Sequence, residues 1–389
     1  MEKFDCVIIG GGASGSVCAI NLAREGFNVA VVDANSFPAK KLLVTGNGKC
    51  NILNSNLSSE YYNVNVDEYF KRFDFEKMQA FFKSIGTIIY EDSQHRCYPI
   101  TNSARTVVNA IKNQFEKLNI KFYGEQIVQN FQKKGDFFEI KLNNNVISSK
   151  KLVLACGGNK FFSCLKNEQI KPFVPSLVAL KTVESTKKLE GVRVQNVKVV
   201  LETEGKRYSQ TGEVLFKDSG ISGICVFNLS SHLARKNNFN SKLFIDLLPN
   251  ITLEKTNSLI KEHMCIFENA CDVLTGIVQE KIAQEILKRV NVLNLKSKQL
   301  TLKQIESISK LIHNLDFTTC DCYDNNQVYS GGIVLNSLSE NLQSKNTSGL
   351  YFSGEIVDVD GECGGYNLSW AWASGMIVAS DIELSLKCK

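Results

Sequence analysis

No apolar stretch of this sequence is long enough to cross a membrane, so a helical membrane protein is not expected. A basic tract is missing too. Lys and Arg number 45 against 40 Asp and Glu, and the net +5 is spread over 389 residues with nothing beyond pairs such as Lys40-Lys41. Nucleic acid is therefore not implied as a partner. Histidine is scarce: His95, His232, His263 and His313 lie far apart, none with metal-ligand spacing, which argues against a metal centre. There is no C-x-x-C, and the closest cysteines are Cys320 and Cys322. A dithiol relay of the disulfide-reductase kind is thereby disfavoured. The 13 cysteines are scattered, and several (Cys6, Cys18, Cys225) sit in apolar runs, where a thiol acts as a small hydrophobe. An odd number without regular spacing does not describe a disulfide framework. Internal repeats and low-complexity linkers are also lacking.

What is present is an ordinary globular composition, 43% hydrophobic and 22% charged, on a chain long enough for two or three domains. The chain is organised around DCVIIGGGASGSVCAINLAREGFNVAVVD, from Asp5 to Asp33. Cys6 to Ile9 is an apolar run suited to a buried strand. Gly10, Gly12 and Gly15 fit G-x-G-x-x-G, with Ala13 and Ser14 between the last two. A helical stretch follows and ends at Gly26, and a second apolar run, Val29 to Val32, leads into Asp33. Strand, glycine turn, helix, strand and acid form a dinucleotide-binding fingerprint. Gly10 permits the tight turn, Gly12 lets a pyrophosphate approach the backbone, and Gly15 lets the helix pack on the sheet. The helix N-terminus offers unpaired N–H groups to phosphate. Asp33 would accept hydrogen bonds from the adenosine ribose, and its charge repels a 2′-phosphate. The fingerprint begins at the N-terminus and leaves no room for a signal peptide, so a cytoplasmic protein is expected.

Residues 35–54 read as a long ordered loop at the carboxyl end of the sheet, where ligands bind. Residues 65–90 read as helical and then extended. A helix opens at Ser103-Ala104, and residues 119–154 read as a β-meander with separate VISS and KLVLA strands. The last of these runs into Gly157-Gly158, a strand end that brings backbone close to something. From about Phe173 to Leu248 the pattern is strand-like and mostly alternating, which suggests a small barrel or sandwich. From Thr252 to about Asn314 the period is helical. The C-terminal part returns to a strand ending in Gly354-Glu355, a Gly364-Gly365 pair and a helix, so the cofactor domain is split around the inserted ones.

The segments Lys41-Leu42-Leu43-Val44-Thr45-Gly46-Asn47-Gly48-Lys49-Cys50-Asn51, Arg96-Cys97-Tyr98-Pro99, Gly212 to Phe216 with Gly220 to Gly223, Gly331-Gly332-Ile333, and Gly354 to Gly361 through Gly364-Gly365-Tyr366-Asn367 occur in this order behind the fingerprint. In these motifs the chain resembles the BaiN-like, or YhiN-type, flavoproteins from end to end. The resemblance implies an α/β fold with a Rossmann-like FAD-binding domain of the glutathione-reductase type, split by a β-barrel-like domain that carries a small helical insert. The expected parsing is 1–175 and 331–389 for the FAD domain, 176–250 and 316–330 for the β-rich domain, and 251–315 for the helical insert. It implies FAD rather than NAD on Gly10, Gly12, Ala13, Ser14, Gly15 and Asp33. Val128 would meet the adenine through its backbone. Thr45, Asn47, Gly48 and Asn51, with Lys41 in the same motif, would lie along the ribityl chain and ring. Glu355, with Gly354 and Gly157 at the neighbouring turns, would bind near the ribityl or pyrophosphate, and Gly365, Asn367 and Leu368 would approach the isoalloxazine. Two departures stand out: Cys156 where the family has Thr, and a shortened segment from Asn159 to Pro175, which affects the substrate entrance more than FAD.

The reaction expected is hydride transfer to or from a small organic substrate at flavin N5. A NAD(P)H-linked reductase of a C=C or related bond is the first reading. Alternatives are an amine or aminoketone oxidase using oxygen, and an RNA-directed flavoprotein, which the mild charge disfavours. No second G-x-G-x-x-G exists for NADH or NADPH, so nicotinamide would dock transiently. The helix opening near Asn367 would stabilise negative charge on the reduced ring. No acid or base is identified; Tyr366 and His95 are the weak candidates, with Tyr366 more simply a packing residue. The oligomeric state is not determined by the sequence.

Overall fold

The computed structural model describes residues 1–158, 165, 167–324 and 328–388. Asn159, Phe161 and Cys164, in the shortened segment, lie outside the described residues. The chain divides into two compact units, Met1–Val174 with Val328–Lys389, and Pro175–Gln327.

The first unit starts with β1 (Lys3–Ile9), α1 (Ala13–Arg24) and β2 (Val29–Val32). β2 is buried at every position, and β1 from Cys6 onwards, the signature of parallel strands covered on both faces. A tight 3-10 stretch, Lys40–Gly48, leads to β3 (Leu53–Asn54), α2 (Asp67–Arg72), α3 (Phe75–Ser84), β4 (Ile89–Glu91) and β5 (Arg96–Pro99). The helical reading of 65–90 thus resolves into two helices. Asp74 interrupts them and caps α3 by accepting from the Lys77 N–H. α4 (Ala104–Lys117) follows, then β6 (Lys121–Tyr123), β7 (Asn130–Lys134), β8 (Phe137–Lys141) and β9 (Val146–Leu154). The expected meander is corrected in two respects. β6 runs parallel to β2, reached through α4, and VISS and KLVLA are one continuous strand. β9 is continuous because its whole length is paired, with antiparallel β8 along its first half and parallel β1 along most of its length. β10 (Ile170–Ser176) leads out of this unit.

The second unit contains β11 (Leu180–Thr182), β12 (Arg193–Thr203), β13 (Lys206–Lys217), β14 (Gly220–Ser222), α5 (Ile224–Ala234), β15 (Ser241–Asp246), α6 (Leu253–Ile266), α7 (Glu280–Arg289), α8 (Leu302–His313) and β16 (Leu315–Cys322). Its strands close into a barrel in the order β11-β14-β13-β12-β15-β16. α5 corrects the expectation of strands across 173–248. Its sequence ICVFNLSSHLA opens with the strand-favouring Ile224, Val226 and Phe227, but Cys225, Val226, Leu229 and Leu233 all join the barrel core. A helix apolar on most of its circumference is stable when buried, and packing overrides propensity here. Thr301 and Gln304 form a capping box that starts α8.

The chain then re-enters the first unit as β17 (Val328–Ile333), which pairs with β10, followed by β18 (Leu350–Phe352) and α9 (Tyr366–Lys387). β18 adds to β9 in parallel, Phe352 opposite Leu154. The seven-stranded sheet runs β6-β2-β1-β9-β8-β7 with β18 beside β9. The two parts of this unit therefore share one sheet. α9 crosses α1 at Gly375, where a Cβ would lie 2.4 Å from the Ser14 carbonyl oxygen.

A Cβ at Gly15 would lie 1.9 Å from the Gly10 carbonyl oxygen. Gly15→Ala must therefore push α1 off β1. We expect a loss of about 1–3 kcal/mol or more, the range for overpacking, read as a lower denaturant midpoint at unchanged slope.

Candidate functional site

The first part of the site is the turn between β1 and α1. Gly10 has φ +106°, and its Cβ would meet the Ala155 carbonyl at 2.3 Å, so the turn is pressed against the end of β9. Gly12 differs. It has an ordinary φ of −70° and open space where a Cβ would stand. Nothing in the protein itself requires glycine there, whereas a ligand lying on the backbone would. Gly12 caps α1, and Ser16 makes the first intrahelical bond back to it, so the N–H groups of Ala13, Ser14 and Gly15 point out of the helix end. No acidic residue occupies the first turn, which leaves the positive end of the helix unneutralised.

Asp33 ends β2 beside this turn. Its Oδ2 accepts the Gly11 N–H at 2.6 Å, and its Oδ1 accepts the Asn35 backbone and side-chain N–H groups at 2.7 and 2.8 Å. A carboxylate has about four acceptor positions, so lone pairs remain on both oxygens. The Gln126 N–H donates to the Asp33 carbonyl at 3.0 Å, which draws the 126–128 segment, with Val128 buried, beside the acid. The Gln126 Oε1 is buried without a partner. No sequence signal marked Gln126, because a lone glutamine carries no motif.

The third part is the Lys40–Gly48 coil. Gly46, Asn47 and Gly48 are consecutive left-handed residues, and Cys50 is a fourth with φ +60°. Left-handed backbone at a buried cysteine stores strain of the kind found at ligand clamps. The Thr45 hydroxyl is spent inside the coil, donating to Leu42 at 2.7 Å. Asn51 has a buried Oδ1 with no partner, 2.8 Å from where a Gly365 Cβ would stand. Asn51 and Gly365, 314 positions apart, are thus brought together at the start of α9. Gly365, in left-handed conformation, caps this helix. Ser369 makes its first bond to the Gly365 carbonyl, so Tyr366, Asn367 and Leu368 present N–H groups ahead of it. The Asn367 side chain serves its own loop, accepting from the Gly361 N–H and donating to the Gly361 carbonyl.

Glu355 ties these parts together. Its Oε1 accepts the Tyr329 N–H at 2.9 Å, and its Oε2 accepts the Gly158 N–H and faces Lys41 Nζ, both at 3.1 Å. Gly157 lies alongside, its Cβ position 3.2 Å from the same oxygen. Gly354 meets α1, its Cβ position 2.5 Å from Ser14 Oγ. Two further acids of the segment hold the next residues of β17. Asp360 accepts from the Ser330 hydroxyl, and Asp358 accepts from the Gly331 N–H while pairing with Lys171 at 2.8 Å.

Tyr366 lies at the start of α9, buried and stacked on Tyr61. His95 sits on the β4–β5 turn with φ +62°, its exposed ring 2.8 Å from Glu91 and 3.2 Å from the Ser55 hydroxyl. Two thiols near the site, Cys50 and Cys363, are poor nucleophiles. Burial pushes Cys50 up to about 11 and Cys363 up to about 12, so both remain protonated at neutral pH. Among the described residues no cluster suited to a metal ion occurs, and no helix is long and apolar enough to cross a membrane.

Residues 4–381 match the family described as "HI0933-like protein Rossmann domain". The chain is 30% identical to the 3-dehydro-bile acid delta(4,6)-reductase of Clostridium scindens, over 95% of this chain and 97% of that protein. It is 26% identical to the ribosomal RNA dihydrouridine synthase of Escherichia coli K12, over 98% of each. Among solved structures, the 3-ketosteroid delta1-dehydrogenase of Sterolibacterium denitrificans aligns over 99% of this chain and all of its own, with a TM-score of 0.50 at 9% identity, a likeness of fold.

Two substitutions separate ligand contacts from protein packing. Gly12→Ala should leave the unfolding midpoint of the ligand-free protein unchanged while weakening dinucleotide binding at least about tenfold, a cost of about 1.4 kcal/mol. Asn51→Leu removes an unsatisfied buried acceptor, a group that costs about 1–3 kcal/mol. It should stabilise the ligand-free protein or leave it neutral, and still weaken flavin binding by titration.

Proposed function

The chain belongs to the HI0933-like Rossmann family of flavin-dependent oxidoreductases, and from that premise we propose that it is an FAD-dependent reductase of carbon–carbon double bonds conjugated to a carbonyl. The donor proposed is NADH or NADPH, docking transiently. The two relatives carry names from different substrate classes, a bile acid and a ribosomal RNA. Saturating a 3-dehydro steroid at delta-4 and saturating uracil to dihydrouracil are the same chemistry: hydride to one carbon and proton to its neighbour, with the carbonyl holding charge between them. That shared chemistry is the observation that carries the reading.

The residues fit FAD on three points. Gly12 is open to a pyrophosphate, and Asp33 with Gln126 offers acceptors at the adenosine end. Asn51 Oδ1 is an acceptor lacking a donor, and the oxidised flavin ring carries an N–H donor. The first turn of α9 presents backbone N–H groups beside it. FAD, when bound, supplies the acceptance and delivery of hydride. The chain's own part is to bind and to orient. α1 would hold the phosphates, Asp33 the ribose, and Val128 the adenine edge. The Thr45–Asn51 coil would run along the ribityl chain, with Lys41 and Glu355 as a charge pair beside it. The N–H groups of Tyr366, Asn367 and Leu368 would stabilise negative charge on the ring. Free thiols throughout the described residues fit a reducing cytoplasm.

A small-molecule substrate suits the even charge distribution, since RNA binding draws on clustered Lys and Arg. The RNA reading stays open on the strength of the dihydrouridine synthase relatives.

Anaerobic mixing of the FAD-loaded protein with NADH or NADPH should bleach the flavin, and a conjugated enone should restore the colour. No bleaching by either nucleotide would refute the nicotinamide-linked reading; rapid return of colour with oxygen but not with any enone would favour an oxidase. For RNA, affinity measured against salt decides: a shallow slope and weak binding are expected.

A further inference from the structure

We propose that the second unit carries a ligand site of its own, a cavity between the barrel and the helical insert that takes a neutral, mostly apolar small molecule bearing a hydroxyl group. The cavity has a volume of about 390 Å³, within the range of pockets that hold small molecules. All of its lining residues belong to this unit, and none is a residue assigned to FAD. The barrel supplies Val194 and Gln195 of β12, with Leu247 and Leu248 just after β15. The insert supplies Ile277 and Val278, Gln279 at the N-terminal cap of α7, and Ile282 in its first turn. Local structure makes the room. β12 pairs with β13 at Val194 and again at Val197, so Gln195 and Asn196 together oppose Glu213 and bulge from the ladder, Asn196 with φ +55°. On the insert side Gly276 turns with φ +79°, and nothing lies within 4 Å of its Cβ position. Leu247 and Ile282 are buried in the barrel core, whereas Val194, Leu248, Ile277 and Val278 pack on that core and keep part of their surface uncovered. Apolar surface left in a concave place gains by being covered.

The polar groups of the wall define the rest of the ligand. No residue with a charged side chain lines the cavity, so a charge brought into it would lose water without gaining a partner. The charges next to it in sequence are engaged: Arg193 pairs with Glu213, and Lys281 Nζ donates to the Glu190 carbonyl. Glu280, in the first turn of α7, opposes an anion at that helix start. The two glutamines donate their side-chain N–H groups to acceptors, Gln195 to the Glu213 carboxylate and Gln279 to the Arg193 carbonyl. These partners fix which end of each amide is the nitrogen, and they leave both Oε1 atoms as acceptors. At the start of α7 the first intrahelical bond runs from the Ala283 N–H to the Gln279 carbonyl, so the Ile282 N–H has no partner within the helix. A hydroxyl can donate to an amide oxygen and accept from a backbone N–H, which neither a carboxylate nor an ammonium group can do. The ligand would touch β12 and α7 at once and so tie the insert to the barrel.

The test uses the FAD-loaded full chain and three probes that share one ring system: 2-naphthol, naphthalene and 2-naphthalenesulfonate. Binding is followed by NMR of ¹³C-methyl-labelled isoleucine, leucine and valine. 2-Naphthol should shift the methyl resonances of Ile277, Val278 and Leu248 saturably. Naphthalene should bind about three- to tenfold more weakly, the weight of one hydrogen bond, and the sulfonate should leave these methyls unmoved. Val278→Trp fills the cavity from the insert side and should abolish the shift at Leu248. Leu248→Trp fills it from the barrel side and should abolish the shift at Ile277, and it decides the matter if the first variant fails to fold. Both variants should keep the FAD content of the unaltered protein. The proposal is overturned by the absence of a saturable shift at these methyls with 2-naphthol, or by shifts that survive the tryptophan variants. It is equally overturned if naphthalene binds as tightly as 2-naphthol, or if the sulfonate binds more tightly than either.

Discussion

The first unit depends on how closely α1 approaches its surroundings. On one side Gly15 lies against the Gly10 carbonyl, at a distance no Cβ could share. On the other, Gly375 of α9 lies against the Ser14 carbonyl. Between these contacts the N-terminal turn of α1 cannot shift without moving either the sheet or the C-terminal helix. The cost of such rigidity is two positions closed to side chains. The gain is a set of outward N–H groups fixed in place before any ligand arrives, which is how preorganised sites avoid reorganisation on binding.

The same economy appears at the C-terminal segment. Glu355, Asp358 and Asp360 accept from three successive residues of β17, Tyr329, Ser330 and Gly331. Carboxylates this close together repel one another unless compensated. Lys41 sits on Glu355 and Lys171 on Asp358, and backbone N–H groups supply partial positive charge. The acids therefore act as acceptors along β17, two for backbone N–H groups and one for the Ser330 hydroxyl. Asparagines do similar work nearby: Asn63 serves the Asp358 carbonyl and the Asp360 N–H, and Asn367 serves Gly361. The loop that leads into α9 is shaped by side chains rather than by regular structure, and it carries the residues assigned to the ring end.

Much of the architecture was legible because it rests on local rules. The β1–α1–β2 unit follows from apolar runs, one glycine turn and an acid at fixed spacing. The change of period after Thr252 reported helices, and the capping box at Thr301 bounds one of them. α5 was not legible, since it opens on the strand-favouring Ile224, Val226 and Phe227 among strand-like neighbours, and its burial in the barrel core shows only in the fold. The continuity of β9 was hidden for a related reason: its polar Ser148 and Ser149 look like a break, yet both are buried between neighbouring strands. At the candidate site, glycine-rich motifs marked segments that the fold brings together, but not what each side chain does. Thr45 and Asn367 turn inward to their own loops, and Gln126, outside every motif, holds a buried acceptor without a partner beside Asp33.

The sequence by itself determined the α/β class, the dinucleotide turn and the family, because spacing along a chain encodes period, turn chemistry and motif order. The tertiary structure decided which distant residues meet. Asn51 and Gly365, Lys41 and Glu355, and Tyr61 and Tyr366 are each separated by some 300 positions. No local rule couples such pairs. They meet because β18 joins β9 in the sheet started by the N-terminal strands, which returns α9 to the side of α1. Unpaired acceptors and a stacked phenol pair are properties of that meeting, and become visible only when both ends of the chain occupy one fold.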